Sequence, residues 1–403
     1  MPLNNSQQMV FNSAIKWWRD KNEQTFEISG PPGSGKSYLV NQIIKALGIP
    51  PERVAPMAYT GTAAINMRAK GMMNAKTIYA WCYRCVREPV KDPATGKPVI
   101  DPVYNIPKVQ LSFVPINSLS DIDVIVADEA GSIPPDMRAT IDRLGIPVIA
   151  AGDLNQLPPI FGTPGYLNDP SKVHQLTEIV RQQAGNTIIQ FSQMALAGQD
   201  IPLGRYGNVA VIYEDEISDN MLCKSDIVIC SKNATRYSYI DHIRHELLGY
   251  DYKMPMHGER VVCRKNNWDV EAGGINLTNG LLGNVINYPD ISTVDRNRNT
   301  FKLSFKPDLC NDIFHNLEVD FRFLNSRDQK EKNMLKMSER AFGDKFEFGY
   351  AITTHMAQGS EFNQGIYIEE YLNRDINNKL NYVGLTRFKN KCIYAKRRPK
   401  RYW

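Results

Sequence analysis

The chain has 403 residues, 42% of them hydrophobic, and a formal net charge of +5. That length and apolar content build roughly two to four cored units and exclude a disordered polyelectrolyte, while so mild a charge does not by itself argue for nucleic acid. No run of about 18 apolar residues exists to span a membrane, and the start "MPLNNSQQMVFNSAIKWW" lacks the apolar stretch of a secretory signal.

These features read as an intracellular protein with its seven cysteines reduced. Cys82 and Cys85 form one C-x-x-C, but no second pair stands at metal-ligand spacing. In chain order, the first helix carries Trp17 and Trp18, read as packing residues. The apolar strand "TFEIS" leads into Gly30-Pro31-Pro32-Gly33-Ser34-Gly35-Lys36-Ser37 and the helical run "SYLVNQIIKAL". This strand, loop and helix fit G-x-x-x-x-G-K-[ST] in the context that the motif requires. Glycines let backbone N–H groups turn around an anion, and the helix N-terminus adds positive potential. Lys36 is placed to reach the β- and γ-phosphates of a nucleoside triphosphate, and Ser37 to ligate Mg²⁺. A glycine-rich turn with an incidental lysine is the alternative.

The strands "RVAPMAY", "DVIVADE" and "PVIAAGD" continue an alternation with helices to about residue 200, the pattern of a parallel α/β layer. Residues about 87–112, "REPVKDPATGKPVIDPVYNIPKVQL", break that rhythm and read as a projecting β-hairpin. Asp128 and Glu129 end an apolar strand. Asp128 would hold Mg²⁺, directly or through water, and Glu129 would polarise an attacking water. Gln156 in "AAGDLNQLPPI" can bond a γ-phosphate or the lytic water, with Asp153 to orient it; Pro158 and Pro159 stiffen the loop.

A second α/β unit opens at "SDIVICSKNATRYSYIDHIRHELLG" and is interrupted after Gly258 by β-like alternation. The charge-rich stretch "NSRDQKEKNMLKMSERAFGDKFEF" reads as partly mobile. The α/β pattern resumes at "FGYAITTHMAQG" and "QGIYIEE" and ends with "KCIYAKR". No Asp or Glu follows Asp375, so the basic end suits either a polyanion or water.

Together these residues resemble the superfamily 1B helicases, the RecD-like and Dda-like group, over roughly residues 3–395. The resemblance implies two RecA-like motor domains, residues 1–205 and residues 206–257 with 345–403. It also implies the hairpin insertion in the first and an SH3-like insertion, residues 258–344, in the second. It makes Gln7 the adenine-reading amide, Arg181 and Arg387 the arginines on the γ-phosphate, and Glu361 a contact to the ribose. "YTGTAA" (59–64) and "AKTIYAW" (75–81) resemble strand-gripping motifs, and "ITTHMAQGSEF" (352–362) resembles the motif linking DNA to nucleotide. DNA contacts are accordingly expected at Tyr59, Thr60, Gly61, Thr77, Tyr79, Trp81, Thr354 and His355, with the aromatics as stacking candidates. The implied function is ATP-dependent, 5′ to 3′ unwinding by a monomer on single-stranded and forked DNA, alongside replication or recombination proteins. The compact length resembles phage-encoded members acting in the host cytoplasm. An ATP-driven translocase that strips proteins from DNA, and a non-hydrolytic ATP-switched binding module, are the alternatives. The sequence departs from the family pattern at Gly131, Met356 and Gly384.

Overall fold

Val54–Ala58 and Val148–Gly152 are buried along their whole length. Continuous apolar strands of this kind persist where both faces of a parallel sheet are covered. In the computed structural model they lie in a six-stranded sheet. Its order is Lys76–Thr77, Val54–Ala58, Val124–Asp128, Val148–Gly152, Thr25–Ser29, Val173–Gln175, and every pairing is parallel. The structure describes residues 2–100, 107, 109–159, 162–178, 186–251, 253–337 and 342–398. The registers Ser29 with Gly152 and Ala58 with Asp128 align the carboxyl ends on one edge. The segments after residues 29, 58, 128 and 152 therefore leave the sheet together, where ligands bind in open α/β sheets.

A second six-stranded sheet has the order Ala351–Thr353, Ile227–Cys230, Phe362–Ile368, Phe388–Lys396, Val209–Tyr213, Gly204–Tyr206, parallel except for the last pair. Phe362 pairs with Phe388, so the residues just before them, Glu361 and Arg387, enter the same side of the domain. The two-sheet α/β architecture with β insertions expected from the sequence is the one observed.

The larger insertion is a five-stranded antiparallel sheet, ordered Phe314–Asp320, Thr300–Pro307, Leu282–Val285, Arg260–Cys263, Phe346–Phe348. Its last strand pairs with Arg260–Cys263, so the inserted sheet runs past residue 344, the boundary read from the sequence. A short hairpin, Asn267–Ala272 with Ile275–Leu277, projects from it and turns at Gly273 and Gly274, both with positive φ. The smaller insertion pairs Tyr83–Pro89 with Val109–Pro115, antiparallel from Tyr83 opposite Pro115 to Pro89 opposite Val109. Residues 101–106 and 108 of this hairpin lie outside the described residues.

The two hairpins meet. Trp268 packs against Tyr79 and Phe113 with ring centroids 5.4 and 5.2 Å away, and Arg87 pairs with Asp269. Gly61 lies so close to Thr278 of the inserted domain that a β-carbon there would overlap its hydroxyl.

The charge-rich stretch does not hang loose where it is described. Gln329–Met337 is a helix with Lys332 and Leu335 buried. Lys332 pairs with Glu347, which also binds Arg236 at 2.8 Å and Arg264 at 2.9 Å. Burial works to raise the Glu347 carboxyl, but Arg264, Arg236 and Lys332 together hold it well below the usual range. Two further buried pairs, Arg244 with Glu259 (2.9 Å) and Lys345 with Asp320 (2.9 Å), complete the mounting of the insertion. Removing one partner of such a pair leaves a charge without compensation in a dry interior. Glu347→Ala should therefore lower unfolding stability by about 3–5 kcal/mol, read as a fall in the denaturant midpoint; an unchanged midpoint would contradict this account.

Candidate nucleotide and nucleic-acid site

The phosphate loop turns on Gly33 and Gly35, with φ of 83° and 81°, a conformation that costs glycine little. At Gly30 a β-carbon would stand 2.6 Å from the Ser34 hydroxyl and 2.9 Å from Leu176. At Gly152 it would stand 2.7 Å from Leu167 and 3.1 Å from the N–H groups of Ala130 and Gly131, so this glycine lets the acidic segment and the Gln156 segment approach each other. Glu129 itself has φ of 50°, an uncommon value for a side-chain-bearing residue.

These segments floor a cleft of about 640 Å³ between the two α/β domains. The first domain lines it with Gln7, Pro32, Gly33, Gly35, Lys36, Ser37, Asp128, Glu129 and Gln156; the second contributes Glu361 and Arg387. Gly30, Pro31 and Ser34 lie just behind this lining, and the Lys36 ammonium donates to the carbonyls of Gly30 (2.6 Å) and Pro31 (3.2 Å). Burial pushes the Lys36 ammonium below its ordinary pKa against the pull of Asp153, Glu129 and Asp128. Burial and the Asp128 charge raise the Glu129 carboxyl, opposed by Arg387 and Lys36. A raised carboxylate is a stronger base, which suits a group that must accept a proton from water. The Arg387 guanidinium is 3% exposed and is steadied by the carbonyls of Val383 (3.1 Å) and Ser360 (3.2 Å). Arg181 lies outside the described residues.

Gln7 is held on two sides. Its side-chain oxygen accepts from the Asn4 N–H at 3.2 Å, and its nitrogen donates to the Ser34 carbonyl at 2.9 Å. Each amide atom keeps a second hydrogen-bonding valence. Glu361 bridges Lys70 of the first domain (3.4 Å) and Lys389 of the second (2.8 Å). Lys70, Lys389 and Asn66, which donates to the Gly359 carbonyl, also line the cleft. None of the three stood out in the sequence, because no local motif marks them. Gly384 has a spatial reason: a β-carbon there would collide with the buried Tyr367 ring.

The expected DNA contacts divide. Tyr59 is 39% exposed beside Thr60, whose hydroxyl accepts from the Ala63 N–H at 3.2 Å and caps Gly61–Ala69. Thr77 is buried and caps Ile78–Cys82 through the Ala80 N–H. Tyr79 is half-buried. Its ring is enclosed by Tyr83, Phe113 and Trp268 at 5.0 to 5.4 Å, and belongs to the junction between the hairpins. Trp81 is half-buried, its indole N–H donating to the Pro56 carbonyl at 2.8 Å and its ring covered by Lys76. Thr354 departs from its reading as a DNA contact. It is 0% exposed and its hydroxyl donates to the Cys230 carbonyl at 3.1 Å, so it is a core residue and not a surface contact. His355 is half-buried, and burial lowers its pKa, which favours the neutral ring near neutral pH. Cys82 is buried and Cys85 exposed, both as free thiols, and burial pushes Cys82 up to about 12. Among the described residues no group of three or more His, Cys, Asp or Glu could hold a metal, and no helix is long and apolar enough to cross a membrane.

A family model described as an AAA domain matches residues 2–214. The chain is 23% identical over 318 residues to the ATP-dependent DNA helicase Pif1 of Psychrobacter sp. (strain PRwf-1), covering 66% of this chain and 44% of that protein. It thus spans less than half the length of this curated relative. Among solved structures, one described as two coordinating Pif1 helicases unwinding forked dsDNA superposes with a TM-score of 0.55 and 19% identity, covering 98% of this chain and 92% of that one. A Pif1 helicase from Bacteroides in complex with ADP-AlF3 and ssDNA gives a TM-score of 0.53 at 18% identity, with the same coverage. At such identities these likenesses bear on the fold.

Replacing Lys36 by Ala removes the cation of the phosphate loop. A charge-assisted hydrogen bond contributes about 1.5–3 kcal/mol, so a fluorescent ATP analogue titrated against Lys36→Ala should bind about 10- to 100-fold more weakly. Unchanged affinity would show that the cleft holds its ligand some other way.

Proposed function

Because the chain belongs to the AAA domain family, we propose that its interdomain cleft hydrolyses ATP and that the cycle drives unwinding of DNA. The relatives described above support the resemblance to superfamily 1B helicases. One observation carries the reading. Lys36, Glu129 and Gln156 of the first domain and Arg387 of the second line a single cleft.

In this reading Lys36 and the loop N–H groups bind the phosphates. The Glu129 carboxylate takes the proton of the attacking water, and the Gln156 amide holds that water or the γ-phosphate. Arg387 neutralises charge as the phosphoryl group transfers. Ser37 and Asp128 both line the cleft. Two hard oxygen donors completed by phosphate oxygens fit Mg²⁺, which would screen phosphate charge at that place. Gln7 reads the base, and Glu361 faces the ribose once its lysine contacts rearrange.

Since Arg387 arrives from the second domain, ATP in the cleft favours closure and hydrolysis relaxes it. A single strand lying across both domains, near Tyr59 and His355, is then gripped in alternation and stepped 5′ to 3′. The hairpin rooted at residues 83–89 and 109–115 is braced by Trp268 and Asp269 of the inserted domain, which supports a steric role in parting the strands. One base-pair step is held by stacking of about 1.4 kcal/mol on average, well below the energy of one ATP. We take the enzyme to act as a monomer inside the cell, on single-stranded and forked DNA, alongside replication or recombination proteins.

Forked substrates with a 5′ or a 3′ tail, with and without ATP, test the reading directly. Unwinding should require ATP and the 5′ tail; efficient opening from 3′ tails alone would refute the polarity. Arg387→Ala should keep ATP binding within a few fold yet slow turnover about a hundredfold or more, as single-turnover kinetics would report. Replacing residues 90–106 by a short Gly-Ser link should spare ATPase stimulated by single-stranded DNA and abolish unwinding. Unwinding at the parental rate would make the hairpin a surface loop.

A further inference from the structure

Behind the cleft floor, a buried contact joins the domains. The Tyr382 hydroxyl, on the helix Arg374–Leu385 of the second domain, donates to a side-chain oxygen of Asp153 at 2.6 Å. The Tyr382 residue is 0% exposed and Asp153 3%. The other Asp153 oxygen accepts from the Asn155 N–H at 2.9 Å, and the Asp153 carbonyl accepts from the Gln156 N–H at 3.2 Å. One carboxylate thus ties the turn that presents Gln156 to a residue of the opposite domain. The turn is held from two more sides. Leu157 packs with Leu380, Tyr382 and Val383, and its carbonyl accepts from the Gln358 side chain at 3.1 Å. On its own sheet, the Leu154 N–H donates to the Ser29 hydroxyl at 3.1 Å. Tyr382 lies five residues before Arg387 on the segment that carries it into the cleft.

From this arrangement we infer that Tyr382 is a positioning residue, fixing the Gln156 turn through Asp153 when the second domain closes. The inference rests on the reading of the cleft as a site of ATP hydrolysis. Its physical content is a coupling. Arg387 arrives with the second domain, and the same helix sets the first-domain amide that faces the reacting phosphate. Without the hydroxyl, the Asp153 oxygen facing Tyr382 loses its donor, and the turn samples positions in which Gln156 misses the water. Displacements of about 1 Å at such a group can cost a hundredfold in rate. Binding of ATP, which depends on the phosphate loop, is untouched.

Tyr382→Phe tests this, because it removes one oxygen and keeps the ring that packs on Leu157. ATPase stimulated by single-stranded DNA is measured for the parent, Tyr382→Phe, Gln156→Ala and the double variant, together with thermal melting. The expected result is a kcat lowered about tenfold or more in Tyr382→Phe, with KM for ATP and melting temperature nearly unchanged. In the Gln156→Ala background the same substitution should change kcat less than twofold, since the hydroxyl acts through that amide. A parental kcat in Tyr382→Phe overturns the inference. So does a kcat loss that multiplies fully with Gln156→Ala, or one that appears only with a lowered melting temperature. A parent chain without ATP turnover removes the hydrolytic reading itself, a failure seen before any variant is compared.

Discussion

Glu347 sets a condition for the second half of the molecule. A carboxylate buried to 2% exposure is tolerated only if cations come with it, and here they come from separate parts of the chain. Arg236 belongs to a helix of the second α/β domain, Arg264 to the inserted sheet, and Lys332 to the helix beyond it. Neutralising that charge fixes three segments relative to one another. A buried ion network gives less stability than apolar packing of the same volume, but it is specific about geometry. The inserted domain is therefore tied to the domain that carries Arg387 and Glu361.

That rigid mounting gives the cleft its mechanical meaning. Lys36, Glu129 and Gln156 stand on the aligned carboxyl ends of one sheet, while Glu361 and Arg387 stand at the start of two paired strands of the other. The cleft is lined by both signs of charge, and beside it the domains meet through a buried hydrogen bond of Asn66 with Gly359, a partly exposed pair of Lys70 with Glu361 and the apolar contact of Leu157 with Leu380 and Val383. A partly exposed ion pair such as Lys70 with Glu361 adds little to the hold between the domains.

The legibility of the sequence follows how local each feature is. The phosphate loop, the acidic pair and the Gln156 turn are written in consecutive residues, because each is a short backbone conformation carrying its own side chains. The split second domain was legible from the interruption of its strand pattern. The union of Tyr382 with Asp153 was not, since it joins residues 229 positions apart in no recurrent spacing. Thr354 was misread for a related reason. A motif resemblance marks a hydroxyl as able to touch DNA, but only the packed chain decides whether it faces outward. The charged run before Phe346 read as partly mobile because its counter-charge, Glu347, is a single residue inside an apolar strand.

The meeting of the two hairpins differs in kind from the cleft. Tyr79, Phe113 and Trp268 touch through tilted and edge-on rings, with interplanar angles of 47°, 67° and 68°. Offset and edge-to-face arrangements lie close in energy over a range of separations. Rings of this sort can slide and reorient by a few degrees without losing the contact, whereas a hydrogen bond weakens steeply as its angle degrades. The aromatic junction thus has the properties of a bearing. It holds the first-domain hairpin beside the inserted domain through a contact that tolerates small rotations.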